Sequence, residues 1–194
     1  MPRRRASRVP DPGGSLRTPA ALTPEVEDVD PGPNVLRTGL AGDELQRRME
    51  WALSRVDGVV GVNNHMGSRF TADRRAMQAL MAELSRRGLL FLDSLTTGQS
   101  VGRSVSRAAG VTYLARDVFL DNDETPDAIR ARLRELEAVA RRDGSAIAIA
   151  HPKAATLDVL EAWLPSLAER GFVLVPVSAL AAAAPANLLA RATP

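Results

Sequence analysis

At 194 residues with 45% hydrophobic content, the chain can bury one sizeable core, and it contains no cysteine. Disulfides and thiolate metal sites are therefore excluded, which leaves histidine and carboxylates as metal ligands. The 25 basic and 23 acidic residues show no basic cluster with interleaved aromatic rings, which argues against nucleic acid as a partner.

The first 34 residues contain seven of the 13 prolines and almost no periodic apolar signal. This composition predicts a disordered or extended arm rich in proline and arginine over residues 1–34, without a strand before residue 28. The charged opening is not followed by an apolar stretch, so we expect no export signal. No run approaches the length of a membrane span.

Helical spacing begins at Asp43, and from there apolar runs alternate with helical patterns. Gly88, Gly110 and Gly144 each follow such a pattern and predict helix ends, while Thr71 and Thr156 are predicted caps. This alternation predicts an α/β fold with a parallel sheet. The five predicted strands are 59–62, 89–92, 111–115, 146–150 and 172–177.

The strand ends carry most of the chemically useful side chains. Both histidines of the chain directly follow apolar runs. Since the carboxyl ends of parallel strands share one edge of a sheet, these side chains are expected to meet at one polar mouth. The predicted strand tips are Asn63, Asn64 and His65; Asp93 and Ser94; Arg116 and Asp117; His151; and Ser178.

Each of these residues has an ordinary structural role as an alternative. His65 and His151 fit metal ligation, but each could also hydrogen-bond a loop backbone, and their spacing is not a metal motif. Asp93 is either a general base or a turn former. Arg116 beside Asp117 is either an ion pair that orients the acid or a solvated pair.

Several segments in one order resemble a known family. They are NNHMGSRFT, LDSLTTGQS, RDVFLDND, AIAHP and GFVLVPVS, preceded by DPGPNVLRTGL, and they cover about residues 28–180. These segments resemble the divergent polysaccharide deacetylases, the second such family of bacteria. The resemblance implies an incomplete, deformed (β/α) barrel over residues 35–184, with a flexible tail at 185–194.

The resemblance also implies a chemistry. It implies a metal-dependent hydrolase of acetyl groups on a glycan, with a divalent metal, zinc above others, as the expected cofactor. The metal would polarise the acetyl carbonyl and activate water, a carboxylate would take the proton, and an imidazolium would protonate the leaving group. The family suggests the periplasm or cell envelope. The implied residues are His65 and His151 for metal; Asp93, Arg116, Asp117 and His151 for catalysis; and Asn63, Asn64, Ser68 and Thr97 for substrate.

One departure from the family pattern leads to two expectations. Family members begin with a strand that ends in an Asp pair, followed by two more βα units, and no such strand is predicted before residue 28. We therefore expect an unpaired parallel edge on strand 59–62, open to self-association. Metal affinity and activity are expected to be weak or absent, because a carboxylate ligand is missing.

Two other functions stay open at this point. One is a non-catalytic glycan-binding module, or a degenerate remnant, that keeps the pocket without a complete metal site. The other is a small-molecule-binding α/β domain unrelated to glycans, which requires that the strand tips fail to converge.

Overall fold

The computed structural model of the protein describes residues 19–22 and 34–183. The predicted tail and most of the predicted arm lie outside these ranges. The described strands are β1 (Pro19–Leu22), β2 (Gly61–Met66), β3 (Leu90–Asp93), β4 (Tyr113–Ala115), β5 (Val118–Phe119) and β6 (Ala148–Ile149). The described helices are α1 (Gly42–Leu53), α2 (Ser68–Ala72), α3 (Arg74–Arg87), α4 (Gly102–Ala109), α5 (Pro126–Asp143), α6 (Ala154–Trp163) and α7 (Val177–Ala183), with a 3₁₀ turn at Leu164–Ser166.

Strands β1 to β4 form one parallel sheet in sequence order, and β5 and β6 form a second parallel pair. Val62 lies opposite Phe91 in the register, and Leu92 lies opposite Leu114. Parallel neighbours require long crossovers, which the helices provide. The predicted α/β class, with parallel strands and flanking helices, is therefore confirmed. Closure into a deformed barrel stays a prediction.

The larger sheet is covered on both faces. Val62 and Phe91 point to one side and pack with the buried apolar faces of α1, α3 and α4. Successive strand residues alternate between faces, so Leu90 and Leu92 point to the other side. There they pack with Ile147 and with the apolar side of α7. This double coverage is typical of parallel sheets.

The smaller sheet has its own, more limited core. Val118 and Leu120, in and beside β5, pack with Ile129 and Leu133 of α5 and with Val159 of α6. The residues of β6 are only partly buried. The described part of the chain contains no helix with both the length and the apolar character that crossing a membrane requires.

Several boundaries differ from the prediction. Strand β2 runs to Met66, so His65 lies within the strand rather than after it. Asp73, not Thr71, caps the long helix α3 by accepting backbone N–H groups. Thr156 lies inside α6, where its hydroxyl donates to a buried carboxylate instead of capping. The three predicted glycine ends are confirmed, each in left-handed backbone conformation.

The predicted fifth strand, 172–177, is wrong. Residues 172–176 form neither helix nor strand, and Val177 already belongs to α7. Val173 and Leu174 are 83% and 72% exposed. A β-rich sequence forms a strand only beside a partner strand, and among the described residues β6 pairs with β5 alone.

The expectation of an unpaired edge on β2 is also wrong. Strand β1 pairs with it in parallel, with Ala20 opposite Asn64 and Ala21 opposite His65. A strand therefore does exist before residue 28, inside the segment predicted as an arm. The sequence PAAL has neither the length nor the β-branched content of a typical strand, so pairing with β2 is what makes it one.

Candidate functional site

The two histidines lie together, although each belongs to a different sheet. His65 is the residue before the last in β2, and His151 follows the end of β6. Their ring centroids are 6.0 Å apart, with the planes at 81° to each other. His65 is exposed and His151 is half-buried. Because these tips converge, the small-molecule domain considered above loses its support.

A buried carboxylate fixes the position of His151. Asp121, which follows β5 and is 1% exposed, accepts the backbone N–H of His151 at 2.6 Å through Oδ2. Its Oδ1 lies 3.1 Å from the ring nitrogen Nδ1. We assign the ring proton to Nδ1, because Asp121 can only accept there. Nε2 is then the basic nitrogen.

Asp121 is ionised at neutral pH despite its burial. Burial by itself would raise the pKa of this carboxyl. The hydrogen bonds from the His151 backbone, the His151 ring and the Thr156 hydroxyl outweigh it and lower the pKa below the ordinary value. A buried carboxylate that orients an imidazole in this way is the arrangement of an acid–base histidine.

An aromatic ring contacts His151, and a guanidinium group contacts that ring in turn. The ring of Phe119 lies edge-to-face against His151, with centroids 5.4 Å apart. The Arg116 guanidinium carbon lies 5.1 Å from the centre of that same ring. Arg116 Nε and Nη2 donate to the backbone carbonyls of Ser94 and Leu95 at 2.7 and 2.9 Å. A fixed cation thus stands beside the histidine mouth.

Two asparagines tie β2 to the loop after β3. Asn63 Nδ2 donates to the Leu92 carbonyl and to Ser94 Oγ, both at 2.8 Å. Asn64, which is 1% exposed, accepts the Ser94 backbone N–H at 2.8 Å. Ser94 Oγ in turn donates to the Asn64 carbonyl at 2.6 Å. The predicted substrate-binding residue Asn64 is therefore placed as a buried brace of the mouth.

Two residues beside this brace have left-handed backbone conformation, although neither is glycine. They are Met66 with φ 60° and Leu95 with φ 48°. The Met66 carbonyl accepts from Asn64 Nδ2 at 3.1 Å and from Thr96 Oγ1 at 3.3 Å. Strained backbone of this kind persists only where surrounding contacts enforce it, and it clusters at functional sites.

Asp93, a predicted catalytic residue, is fully buried beneath α4. Its Oδ2 accepts the Ser100 hydroxyl at 2.6 Å and the Tyr113 hydroxyl at 3.1 Å, and its Oδ1 accepts the Leu95 backbone N–H at 2.8 Å. Burial, with the nearby charge of Asp93, raises the pKa of Tyr113. The observed contacts of Asp93 shape the loop after β3.

Asp117 lies at the opposite end of the small sheet from His151. It precedes β5, is exposed, and accepts the Ile147 backbone N–H at 2.7 Å through Oδ2. The structure therefore does not bring Asp117 to the two histidines, because Asp117 pairs with Ile147 ahead of β6 whereas His151 follows β6.

Ser68 and Thr97 line a separate concavity beside the mouth. It has a volume of about 460 Å³ and lies between α2, the start of α3 and the loop after β3. The Ser68 hydroxyl donates to the Thr96 carbonyl at 3.2 Å, which links α2 to that loop. Two predicted substrate-binding residues thus share one cavity wall.

The model of the family described as "Divergent polysaccharide deacetylase" matches residues 16–181. The chain belongs to this family. The match begins ahead of β1, earlier than the 28–180 range that the motifs marked, so β1 is part of the family domain.

Two curated relatives and one solved structure are similar to this family member. They are the uncharacterized protein YibQ of Escherichia coli, 40% identical over 134 residues, and an uncharacterized protein of Haemophilus influenzae, 39% identical over 134 residues. These matches cover 69% of this chain in both cases, but only 42% and 48% of the relatives. The crystal structure of the uncharacterized protein ATU2773 from Agrobacterium tumefaciens aligns with a TM-score of 0.80 and 31% identity, covering 83% of this chain and 66% of that one. The chain thus spans less than half of the curated relatives.

The described residues of this family member offer two of the donors that a metal site would need. Two imidazoles that share a zinc ion have ring centres about 5–6.5 Å apart, given Zn–N bonds of about 2.1 Å, so the spacing of His65 and His151 fits a shared ion. Within residues 19–22 and 34–183, however, no three His, Asp or Glu side chains lie together as a metal-holding group. Catalytic zinc sites use three protein ligands, and Asp121 is already engaged with His151.

Sequence reasoning missed Asp121, although it lies within the segment RDVFLDND. The available signal was the apolar run 118–120, which places Asp121 at a strand tip in the same way as His65 and His151. That run is too short to predict a strand by itself, since β5 has only two residues. Phe119 was also missed, because an aromatic residue in such a run suggests packing.

Proposed function

We propose that this family member is a glycan hydrolase that removes acetyl groups, with His151 as the residue that transfers the proton. The observation that supports the proposal is the buried Asp121, which orients His151 toward a mouth shared with His65. Burying a carboxylate costs free energy. Orienting an imidazole for proton transfer is a function that accounts for this cost.

The chain's own residues account for the proton transfers. His151 Nε2 accepts a proton from the water that attacks the acetyl carbon, while Asp121 stabilises the charged ring through Nδ1. The protonated ring then donates to the nitrogen or oxygen of the leaving sugar as the bond to the acetyl carbon breaks. Acetate and a free amine or hydroxyl are the products. Arg116 places a positive charge at the same mouth, where negative charge develops on the carbonyl oxygen.

A divalent metal, zinc first of all, would polarise the acetyl carbonyl and activate the water when bound. In this mechanism His65 is the described residue that would hold such an ion, because Nδ1 of His151 is bound to Asp121 and its Nε2 transfers the proton. The described donor set falls short of the usual three ligands, so no step above depends on it.

The incomplete donor set also favours a second candidate, a glycan-binding module without turnover. In this case the same mouth would hold the sugar, and the Asp121–His151 pair would serve as a hydrogen-bonding wall. Binding of an acetylated glycan without acetate release, with or without added zinc, distinguishes this function from hydrolysis.

The test is acetate release from oligomers of N-acetylglucosamine and from an acetylated xylan, with the 194-residue chain in both the presence and absence of zinc. We expect release, and a fall of about 100-fold or more in the variants His151→Ala and Asp121→Asn, because proton transfer contributes about 10²–10⁴-fold.

Asp117→Asn is the matched control, since Asp117 also accepts a backbone N–H between β5 and β6 but lies at the far end of these strands. This variant should keep wild-type release. Release that survives His151→Ala, with the variant folded by circular dichroism, would contradict the proposed role of the histidine.

A further inference from the structure

One buried hydroxyl group contacts the carboxylate that orients His151. Thr156 is in the first turn of α6 and is only 1% exposed. Its Oγ1 donates to Asp121 Oδ2 at 3.1 Å, since an ionised carboxylate can only accept. The hydroxyl thus belongs to a chain of contacts that begins on α6, passes through Asp121 and ends at the ring of His151.

Helix α6 holds this hydroxyl in a fixed place. Thr156, Val159 and Trp163 lie on one face of the helix, because they are three and four residues apart. Val159 is buried in the smaller core, and the Trp163 indole N–H donates to Glu137 of α5 at 2.8 Å. The position of the hydroxyl is therefore set by the packing of α6 against α5, and not by the loop that carries His151.

The contacts of Asp121 show what the hydroxyl adds. A carboxylate turns easily about the bond to its Cβ, because that torsion has broad minima. Oδ2 of Asp121 accepts two donors, the His151 backbone N–H at 2.6 Å and the Thr156 hydroxyl, and Oδ1 lies 3.1 Å from the ring nitrogen Nδ1. One donor on Oδ2 leaves the carboxylate able to rotate about that contact, whereas a second donor from another element fixes its plane. Fixing the plane keeps Oδ1 beside Nδ1.

The position of the ring proton of His151 follows from this plane. In a neutral imidazole, the nitrogen that carries the proton is set by the hydrogen bonds of the ring. Asp121 requires a donor at Nδ1, which leaves Nε2 as the base. A carboxylate that turns away from Nδ1 loses this control, and the ring then populates the other tautomer as well.

We infer that Thr156 is a positioning residue for the proposed reaction, whose hydroxyl fixes the plane of the Asp121 carboxylate and so keeps Nε2 of His151 available to accept a proton. The inference rests on the proposed function for its effect on the rate. The tautomer of His151 can nevertheless be measured without turnover, so the inference and the proposed function can fail separately.

The experiment is nitrogen nuclear magnetic resonance of the histidine rings in the full chain, at about pH 9, where a histidine with an ordinary pKa of about 6.5 is neutral. The chain has two histidines, so the variant His65→Ala assigns their signals. We expect the wild type to carry the proton on Nδ1 of His151. Thr156→Val keeps the branched shape of the side chain but removes the donor, so the His151 signals should shift toward protonation of Nε2.

Activity gives the second readout, through acetate release from oligomers of N-acetylglucosamine. Thr156→Val should lower kcat by about tenfold, because a hydrogen bond to a charged group contributes about that factor. KM should stay within about twofold, since the buried hydroxyl does not reach the substrate. Thr156→Ser keeps the donor, so it should keep the wild-type tautomer and a kcat within about threefold of the wild type.

Thr71→Val is the matched control, because Thr71 is also fully buried but its hydroxyl donates to the backbone carbonyl of Gly67 at 3.0 Å. This variant should leave the His151 signals unchanged. A thermal melt checks that each variant folds, and Thr156→Ala removes the same donor if Thr156→Val does not fold.

A wild-type His151 protonated on Nε2 would overturn the inference, as would His151 signals in Thr156→Val that match those of the wild type. It would equally be overturned by a shift of the same size in Thr156→Ser or in Thr71→Val, because packing and not the donated hydrogen bond would then be responsible. A tautomer that responds to Thr156→Val in a chain that releases no acetate would count against the proposed hydrolysis alone. Acetate release with an unresponsive tautomer would count against the positioning role alone.

Discussion

The two sheets bring their histidines to one mouth with different kinds of support. The four-stranded sheet, which carries His65, lies between apolar layers in which Phe70, Leu80 and Phe91 are fully buried. The two-stranded sheet, which carries His151, has a smaller core and partly buried strand residues.

In the smaller sheet, hydrogen bonds to two carboxylates add to the limited apolar packing. At one end Asp117 accepts the Ile147 N–H, and at the other end Asp121 accepts the His151 N–H. Apolar burial has no direction, whereas a hydrogen bond does. The comparison indicates that apolar packing stabilises the four-stranded sheet, whereas carboxylates fix the position of His151 beside the two-stranded sheet.

The largest expected effect compares the two cores with the same substitution. Leu80→Ala in the larger core should lower the free energy of unfolding by about 3–5 kcal/mol, because little around it can relax. Leu133→Ala, 2% exposed in the smaller core, should cost about 2–3 kcal/mol. Urea unfolding monitored by circular dichroism measures both. Equal costs, or a larger cost at Leu133, would mean that the two cores support the fold alike.

The second comparison removes β1 from the larger sheet. Replacing both Ala20 and Ala21 by proline deletes backbone donors, and one of any two successive strand residues faces β2. We expect the exposed β2 edge to cause self-association, which size-exclusion chromatography detects. The wild-type chain is the reference, and an unchanged elution volume at all concentrations would show that β1 does not protect this edge.

A third, smaller effect concerns the close approach of β2 and β3. A Cβ atom added at Gly61 would clash with Leu90 Cγ and would lie 2.9 Å from the Leu90 backbone oxygen. Gly61→Ala should therefore destabilise the larger sheet by about 1–3 kcal/mol. Gly42→Ala, at the start of α1 in open space, is the control and should be neutral or slightly stabilising. Thermal melts of the two variants decide, and equal melting temperatures would contradict the close contact.

The smallest expected effect is a dependence of stability on pH, caused by Glu83 of α3 beside the larger sheet. Burial opposes the ionisation of Glu83, but hydrogen bonds from Arg86 and Arg87 prevail and lower its pKa from the ordinary 4.5. The stabilisation is therefore complete above about pH 4.5 and is lost as the pH falls through the lower, folded-state value.

Glu83→Gln should accordingly cost about 1–2 kcal/mol at pH 7 and almost nothing near pH 2. Asp127→Asn, whose side chain is 96% exposed in its ion pair, should change stability by less than about 0.5 kcal/mol at either pH. Unfolding curves at the two pH values are the measurement. A cost for Glu83→Gln that does not vary with pH would assign its role to packing.

Much of the fold could be predicted from local patterns. The long helices follow from apolar residues at helical spacing, and Gly88, Gly110 and Gly144 ended them because left-handed backbone conformation favours glycine. Strand β3 followed from a short apolar run. The predictions for β1 and for the segment 172–177 were wrong in opposite ways. The first segment has a low strand propensity but lies beside β2, whereas the second has a high strand propensity but no partner strand among the described residues.

The sequence by itself determined the alternation of helices and parallel strands, and it brought both histidines to the ends of strands. These properties depend on neighbours in the chain, through spacing, caps and apolar runs. Only the tertiary structure decided that Asp121 rather than Asp93 or Asp117 holds His151, and that Ser68 and Thr97 line one cavity. Such contacts join residues far apart in sequence, and their geometry depends on packing and register that no local pattern encodes.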